Sequence, residues 1–95
     1  MSQNPIHPGE ILIDELTELK ISFSELARQI NVPANRISQI ISGKRSITAD
    51  TALRFGKWFG TGPKIWLNLQ QAYDIEVAKL EIGSDLDAIK PHEAA

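Results

Sequence analysis

The sequence predicts an all-α protein, in which five helices include a central helix-turn-helix and a short helical extension follows. Residues 23–45 contain two helically spaced apolar faces, separated by only three residues. Further segments with helically spaced apolar residues precede and follow them, each bounded by a proline or a glycine. Ninety-five residues suffice for one core and not for two. We therefore expect one domain over residues 1–78 and a C-terminal extension over residues 79–95, partly helical and then frayed.

The first helix is predicted to begin at Pro8, because proline suits a first helical turn, where its missing N–H is not needed. His7 and Glu10 flank this start, and a helix cap explains them better than a metal pair. We expect the helix to cover the helix-turn-helix with an apolar face. Its inward positions are Leu12, Leu16 and Leu19.

The second helix should begin after Ser22, which has the spacing of a capping box with Glu25. Ala27 is small, as a close crossing of two helices requires. Asn31 supplies the positive φ of the corner, and Pro33 is predicted to occupy the first turn of the third helix. These features in register indicate a helix-turn-helix, typical of DNA-binding proteins, in preference to a plain helical hairpin. The two apolar faces consist of Leu26, Ala27 and Ile30, and of Ile37, Ile40 and Ile41.

Gly43 should end the third helix, and Thr48 is predicted to cap a fourth that has Asp50 in its first turn. We expect Gly60 to end the fourth helix and Pro63 to take the first position of the fifth. One side of the fourth helix should carry Ala49, Ala52, Leu53, Gly56 and Phe59, with Phe55 and Trp58 on another side. The fifth helix carries Ile65, Trp66, Leu69 and Tyr73. A last helix is predicted over residues 85–90, capped by Ser84 and halted at Pro91.

Charge is distributed unevenly along the chain. The whole protein is slightly acidic, with a formal net charge of −2. Residues 26–49 contain no Asp or Glu, so all twelve acidic residues lie outside this window, whereas four cations lie within it: Arg28, Arg36, Lys44 and Arg45. A basic face on an acidic body can bind phosphates locally and suits a second, basic partner. The alternative is an ordinary solvated face.

Catalysis is disfavoured by the residue types present. The chain contains no cysteine, its two histidines are far apart in sequence, and it has no His-x-x-His, nucleophile elbow or phosphate loop. Asp14, Glu15 and Glu18 are best interpreted as a solvated helix face. We expect a protein that is not an enzyme and uses no cofactor or metal. The lack of cysteine, signal peptide and long apolar run predicts a cytoplasmic location without a membrane partner.

Four aromatic side chains, Phe55, Trp58, Trp66 and Tyr73, provide more large apolar surface than one small inward face needs. Either some of this surface belongs to a dimer interface, or both tryptophans lie in the core. DNA-binding proteins of this kind often dimerise, so that two recognition helices enter major grooves about 34 Å apart. The predicted dimer interface consists of Trp58, Ile65, Trp66, Leu69, Tyr73 and Val77.

Three strings accompany the helix-turn-helix: His7-Pro-Gly-Glu10, Ser42-Gly-Lys-Arg-Ser-Ile-Thr-Ala-Asp50, and Phe59-Gly-Thr-Gly-Pro63 leading into Trp66-Leu-Asn-Leu-Gln70. With them, residues 7–78 resemble the HigA-type antitoxins of HigBA toxin-antitoxin systems, also described as virulence-associated protein I or plasmid-maintenance antidotes. These form a branch of the Cro/repressor-like (XRE) helix-turn-helix family. The resemblance implies a lambda-repressor-like fold. It also implies an antitoxin that binds double-stranded operator DNA as a homodimer, represses its own operon and neutralises a RelE-like (HigB-type) mRNA-cleaving toxin.

The resemblance also assigns DNA contacts. In Cro/repressor-like domains the exposed start of the second motif helix, and the next turn, face base edges. Here these positions are Ala34, Asn35, Arg36, Ser38 and Gln39. Asn35 and Gln39 are suited to adenine and Arg36 to guanine. The expected phosphate contacts are Ser22, Ser24, Arg28, Ser42, Lys44 and Arg45.

Two residues depart from the family pattern at the DNA-facing end of the motif. Pro33 stands where Ser or Thr is common, and Ala34 offers a base only a methyl contact. We therefore expect modest sequence specificity. Two other functions stay open: a stand-alone repressor without a toxin, and a module that sequesters a toxin without binding DNA.

Overall fold

The architecture is all-helical over the part of the chain that the computed structural model describes, residues 4–93. The order along the chain is α1 (Pro8–Leu19), α2 (Phe23–Gln29), α3 (Ala34–Ile41), α4 (Ala49–Phe59), α5 (Lys64–Ile82) and α6 (Ser84–Asp87). Helix α2 packs on α3, α1 lies against α3 and α5, and α5 also packs on α4. The predicted fold class is confirmed.

One hydrophobic core lies between the first five helices. Each fully buried side chain of the size of Leu, Ile or Phe contributes about 1.5–3 kcal/mol from burial. The core residues of this size with no exposed surface are Leu12, Leu26, Ile37, Ile40 and Phe55. Because two of these belong to α3, the core holds that helix by its apolar side.

Side chains cap the starts of α1, α2 and α4. His7 Nδ1 accepts a 2.9 Å hydrogen bond from the Gly9 N–H, and the Glu10 carboxylate accepts one from the His7 N–H. This capping box confirms the helix-cap interpretation of His7. Thr48 caps α4 as predicted. Ser22 Oγ accepts from the Glu25 N–H at 3.1 Å.

Three start signals differ from their predictions. The capping box at α2 is only half formed, because the Glu25 carboxylate bonds Arg28 and Gln29 and not the Ser22 backbone. Pro33 and Pro63 each lie one residue before a helix, and not in its first turn. Both accept with their carbonyls from the first turn, Pro33 from the Arg36 N–H and Pro63 from the Leu67 N–H.

The predicted core faces of α1 and α4 were assigned wrongly in part. Leu19 is 49% exposed and Leu53 is 60% exposed, whereas Phe55 is fully buried. Leu19 is the last residue of α1, and the chain turns away there because Lys20 adopts a left-handed conformation. In α4, the Phe55 ring packs edge-to-face on Phe59 and Trp66, which turns Leu53 outward.

The C-terminal region also differs from the prediction. Helix α5 continues to Ile82, and α6 spans only Ser84–Asp87, so the predicted helix over residues 85–90 is too long. Gly83 occupies the position before α6 where Ser84 was expected. His92 and Glu93 are non-helical and exposed, whereas residues 94 and 95 of the expected frayed end lie outside the described residues. The boundary at residue 78 stays a prediction.

Candidate nucleic-acid interface

The corner between α2 and α3 sets the orientation of α3. Asn31 adopts a left-handed conformation with φ of 60°, as predicted. The Val32 N–H then donates to the Ala27 carbonyl at 3.0 Å, which closes the turn. Ala27 is only 2% exposed, so its small side chain lies at the predicted close contact. The corner therefore has the geometry of a helix-turn-helix.

Helix α3 has a buried side and an exposed side. Ile37 and Ile40 are fully buried, and Ile41 is half-buried. The predicted base readers lie on the remaining surface of the helix. Ala34 and Asn35 are exposed, and Arg36, Ser38 and Gln39 are half-exposed. The structure thus brings the five predicted base readers onto one accessible side of α3.

Arg36 lies on the flank of that side, next to α4. Its Nη1 donates a 2.8 Å hydrogen bond to Asp50 Oδ1 in the first turn of α4. The same carboxylate oxygen accepts from Arg54 Nε at 2.8 Å. These bonds, the one from Arg54 first, lower the pKa of Asp50. Arg36 is therefore held in an ion-pair network and is not a freely moving side chain.

Arg54 connects this network to the corner. Its Nη1 donates to the Ile30 carbonyl at the end of α2, at 2.8 Å. Neither Asp50 nor Arg54 was identified as a site residue from the sequence, although their spacing of four residues on α4 is typical of a helical ion pair. The available signal indicated local helix stability and not a contact with α3.

A second network surrounds the C-terminal end of α3. Arg45 Nε donates to Gln39 Oε1 at 2.8 Å, which joins a predicted phosphate contact to a predicted base reader. The N–H groups of Lys44 and Arg45 both donate to the Gln39 carbonyl. Lys44 and Arg45 are exposed, so the loop presents two cations beside the helix.

Gln70, on α5, anchors the loop between α3 and α4. It is 5% exposed, and its Oε1 accepts a 2.8 Å hydrogen bond from the Ile47 N–H. Its Nε2 donates to Asp74 on the next turn of α5. Sequence reasoning did not assign Gln70 a role, because its partner lies 23 residues away.

The predicted phosphate contacts on α2 are exposed but partly engaged within the protein. Ser22 Oγ caps the helix, and Arg28 forms an ion pair with Glu25. Ser24 and Ser42 are exposed, and Ser42 Oγ donates to the Gln39 carbonyl. All six lie near one end of α2 or of α3 and none is buried.

The predicted dimer residues do not all lie at the surface. Trp66 is 3% exposed and packs against Phe55 and Phe59, so little of its surface is left to contact a partner. Helix α5 uses this aromatic ring to pack on α4. Ile65 is 49% exposed. Trp58, Leu69, Tyr73 and Val77 are half-buried.

Residues 4–93 contain no group of three or more His, Cys, Asp or Glu side chains placed to hold a metal ion. Within the same range, no helix combines the length and apolar character needed to cross a bilayer.

The chain is similar in sequence and in structure to known proteins. Residues 12–66 match the sequence model of the family described as helix-turn-helix. Virulence-associated protein I of Dichelobacter nodosus is 47% identical over 75 residues, which cover 78% of this chain and 69% of that protein. The structure is similar to that of an addiction module antidote protein of the HigA family from Coxiella burnetii, with a TM-score of 0.92 and 51% identity over 95% of this chain and all of that chain. It is also similar to Pseudomonas aeruginosa antitoxin HigA with the higBA promoter, with a TM-score of 0.89 and 42% identity over 94% of this chain and 99% of that chain.

Proposed function

We propose that this chain, which belongs to the helix-turn-helix family of Cro/repressor-like proteins, is an antitoxin that binds operator DNA through α3. Members of this family are DNA-binding regulators and not enzymes. The observation that carries this proposal is the exposed polar side of α3, held outward by the buried Ile37 and Ile40. A HigA antitoxin that is 42% identical over almost the whole chain has been solved with its promoter.

Base readout is assigned first to Asn35 and Gln39. An amide pairs with adenine through both its oxygen and its nitrogen. Gln39 Oε1 accepts from Arg45 in the free protein. An amide oxygen can accept two hydrogen bonds, so Gln39 can read a base while Arg45 holds its side chain in place.

Phosphate contacts are assigned to cations and hydroxyls at the two ends of the motif. Lys44 and Arg45 lie in the loop after α3, and Arg28 lies on α2. Ser22, Ser24 and Ser42 supply hydroxyls beside them. These contacts set the register of the protein on the duplex without reading its sequence. The absence of acidic residues from residues 26–49 keeps this surface positive on an otherwise acidic chain.

We further propose a homodimer formed through α5 and the end of α4. Ile65, Leu69, Tyr73 and Val77 recur every four residues along α5, and Trp58 lies at the end of α4. Trp66 is excluded because the core buries it. Two copies would present two α3 helices to major grooves about 34 Å apart on one face of the duplex.

Toxin neutralisation is the last part of the proposal, and the RelE-like toxin is its expected target. The support is the similarity to an addiction module antidote protein over almost the whole of both chains. The net charge of −2, with every acidic residue outside the motif window, suits a small basic partner. Repression of the operon and neutralisation of the toxin would then use separate surfaces.

The DNA-binding part is tested by selecting duplexes from a randomised pool and measuring salt-dependent affinity. We expect a selected sequence with two-fold symmetry. Asn35→Ala and Gln39→Ala should each weaken binding to it by about 1–3 kcal/mol. Lys44→Ala should weaken binding to every duplex and reduce the salt slope by about one. Lys90→Ala, in the exposed C-terminal segment, is the matched control and should change neither. Binding that does not discriminate among duplexes contradicts the proposal.

The toxin part is tested by expressing the protein with the gene adjacent to its own. We expect that neighbour to encode a small basic ribonuclease whose toxicity the protein relieves and with which it co-purifies. DNA binding without a toxin partner would indicate a stand-alone repressor. Toxin binding without DNA affinity would indicate a sequestering module.

A further inference from the structure

We propose that Asp50 is a positioning residue that determines how well the protein discriminates between DNA sequences, because it holds the guanidinium of Arg36 in one orientation beside α3. This inference rests on the proposed function of α3 in DNA binding. It adds a residue that lies outside the recognition helix and carries the charge opposite to that expected in a DNA interface.

The Asp50 carboxylate is itself held in place. Its Oδ1 accepts from Arg54 Nε at 2.8 Å, and both residues lie on α4, one turn apart. Arg54 Nη1 in turn donates to the Ile30 carbonyl at 2.8 Å. The chain of bonds therefore runs from the helix-turn-helix corner through α4 and back to Arg36 on α3. The bonds from Arg54 and Arg36 both end on one oxygen of Asp50, whose side chain is 58% exposed.

The bond to Asp50 restricts the orientation of the Arg36 guanidinium and leaves other donors free to contact DNA. Its Nη1 donates to Asp50 Oδ1 at 2.8 Å, and its side chain is 27% exposed. The donors on Nε and Nη2 remain outside this bond, and two parallel N–H groups of that kind match the paired acceptors of guanine or of a phosphate. Because Asp50 already limits the rotamers of a long side chain, less conformational entropy is lost when Arg36 contacts DNA.

Charge explains why the effect concerns discrimination rather than affinity. Asp50, Arg36 and Arg54 together carry a net charge of +1, so the carboxylate offsets one of two guanidinium charges. This lowers attraction to any phosphate backbone, which is the term independent of sequence. The hydrogen bonds from Arg54 and Arg36 lower the pKa of Asp50 from its already acidic usual value, so the carboxylate carries its negative charge at neutral pH.

The chain provides a matched control in Glu25. Like Asp50, this carboxylate lies in the first turn of a helix, here α2, and pairs with an arginine, Arg28. The Arg28 side chain is 72% exposed, and the partners of Glu25 all lie on α2. Removing Glu25 therefore deletes one negative charge near the DNA without releasing a residue of α3.

The test compares equilibrium binding to two duplexes, one selected by the wild-type protein and one with the same composition in shuffled order. Asp50→Asn should bind the shuffled duplex about three- to tenfold tighter, because one anion is lost, and should bind the selected duplex no tighter. The ratio of the two affinities should fall accordingly. Glu25→Gln should strengthen both by the same factor and leave the ratio unchanged. In an Arg36→Ala background, Asp50→Asn should no longer change the ratio.

Several outcomes would overturn the inference. The inference fails if Asp50→Asn shifts both affinities equally, as Glu25→Gln is expected to do. It also fails if Asp50→Asn lowers the ratio of the affinities just as much in the Arg36→Ala background. Arg36→Lys is the second variant if Asp50→Asn does not fold, because lysine keeps the charge but loses the planar fork. The ratio of the two affinities should fall in Arg36→Lys, and an unchanged ratio overturns the inference. If the wild-type protein does not discriminate between the two duplexes, the proposed function is overturned as well. If the wild type discriminates but Asp50→Asn leaves the ratio of the two affinities unchanged, only the inference is overturned.

Discussion

Gly9 in α1 lies directly against the carbonyl of Ile40 in α3. A Cβ built on Gly9 would be 1.9 Å from the Ile40 oxygen and 2.8 Å from its carbonyl carbon. Both sides of this contact are backbone, so neither can rotate away. Gly9 thus lets α1 approach the end of the proposed recognition helix more closely than any other residue would allow.

Gly9→Ala should therefore destabilise the protein, although alanine favours a helix by about 1 kcal/mol over glycine. Overpacking against backbone typically costs about 1–3 kcal/mol, and more where nothing can yield. We expect a net loss in the free energy of unfolding, measured by urea denaturation. Glu15→Ala, on the exposed side of the same helix, should change it by less than about 0.5 kcal/mol. A Gly9→Ala protein as stable as the wild type would show that the two helices are not in contact.

The corner residue Asn31 offers a second test. Its φ of 60° suits glycine and asparagine and disfavours a β-branched residue. Asn31→Val should destabilise the fold by about 1–2 kcal/mol. Asn31→Gly should leave stability almost unchanged in the same denaturation experiment. Equal stability of the valine and glycine variants would mean that the corner is not left-handed.

Gln70 should be required for the loop that follows α3. Gln70→Met fills a similar volume but leaves the buried Ile47 N–H without an acceptor, at a cost of about 1–3 kcal/mol. Amide hydrogen exchange at Ile47 should become faster in this variant. Gln71→Met, at the next and exposed position of α5, should leave that exchange rate unchanged. Unaltered exchange at Ile47 in Gln70→Met would disprove the anchoring role.

His7 should make stability depend on pH. Burial lowers its pKa from the usual value, an effect that the charges of Asp74 and Glu10 only partly oppose. Its neutral Nδ1 accepts from the Gly9 N–H at 2.9 Å, which the protonated ring could not do. Because the folded pKa is the lower one, this contribution is complete above the unfolded value of about 6.5 and is lost as pH falls below it.

The measurement is the free energy of unfolding across that pH range. His7→Asn, which keeps a capping oxygen, should remove most of the decline below the unfolded pKa of histidine. His92→Asn, at the exposed end of the chain, should retain it. If His7→Asn keeps the full decline, other groups cause it.

Several local signals in the sequence were reliable because their physical cause is local. The left-handed Asn31, the Thr48 cap and the positive φ of Gly43 and Gly60 all follow from the conformational preferences of single residues and their immediate neighbours. The exposed side of α3 followed from apolar periodicity, because Ile37 and Ile40 had to face a core. The sequence by itself thus determined the order of the first five helices, the corner and the exposed side of α3.

The tertiary structure alone decided which side chains meet across helices. Phe55, and not Leu53, enters the core because its ring meets Trp66 on α5. Arg36 reaches Asp50 across 14 positions, a pairing that apolar periodicity and helix caps do not encode. Such contacts depend on the distance and angle between helices, and these are set by the combined packing of the whole core rather than by any one segment.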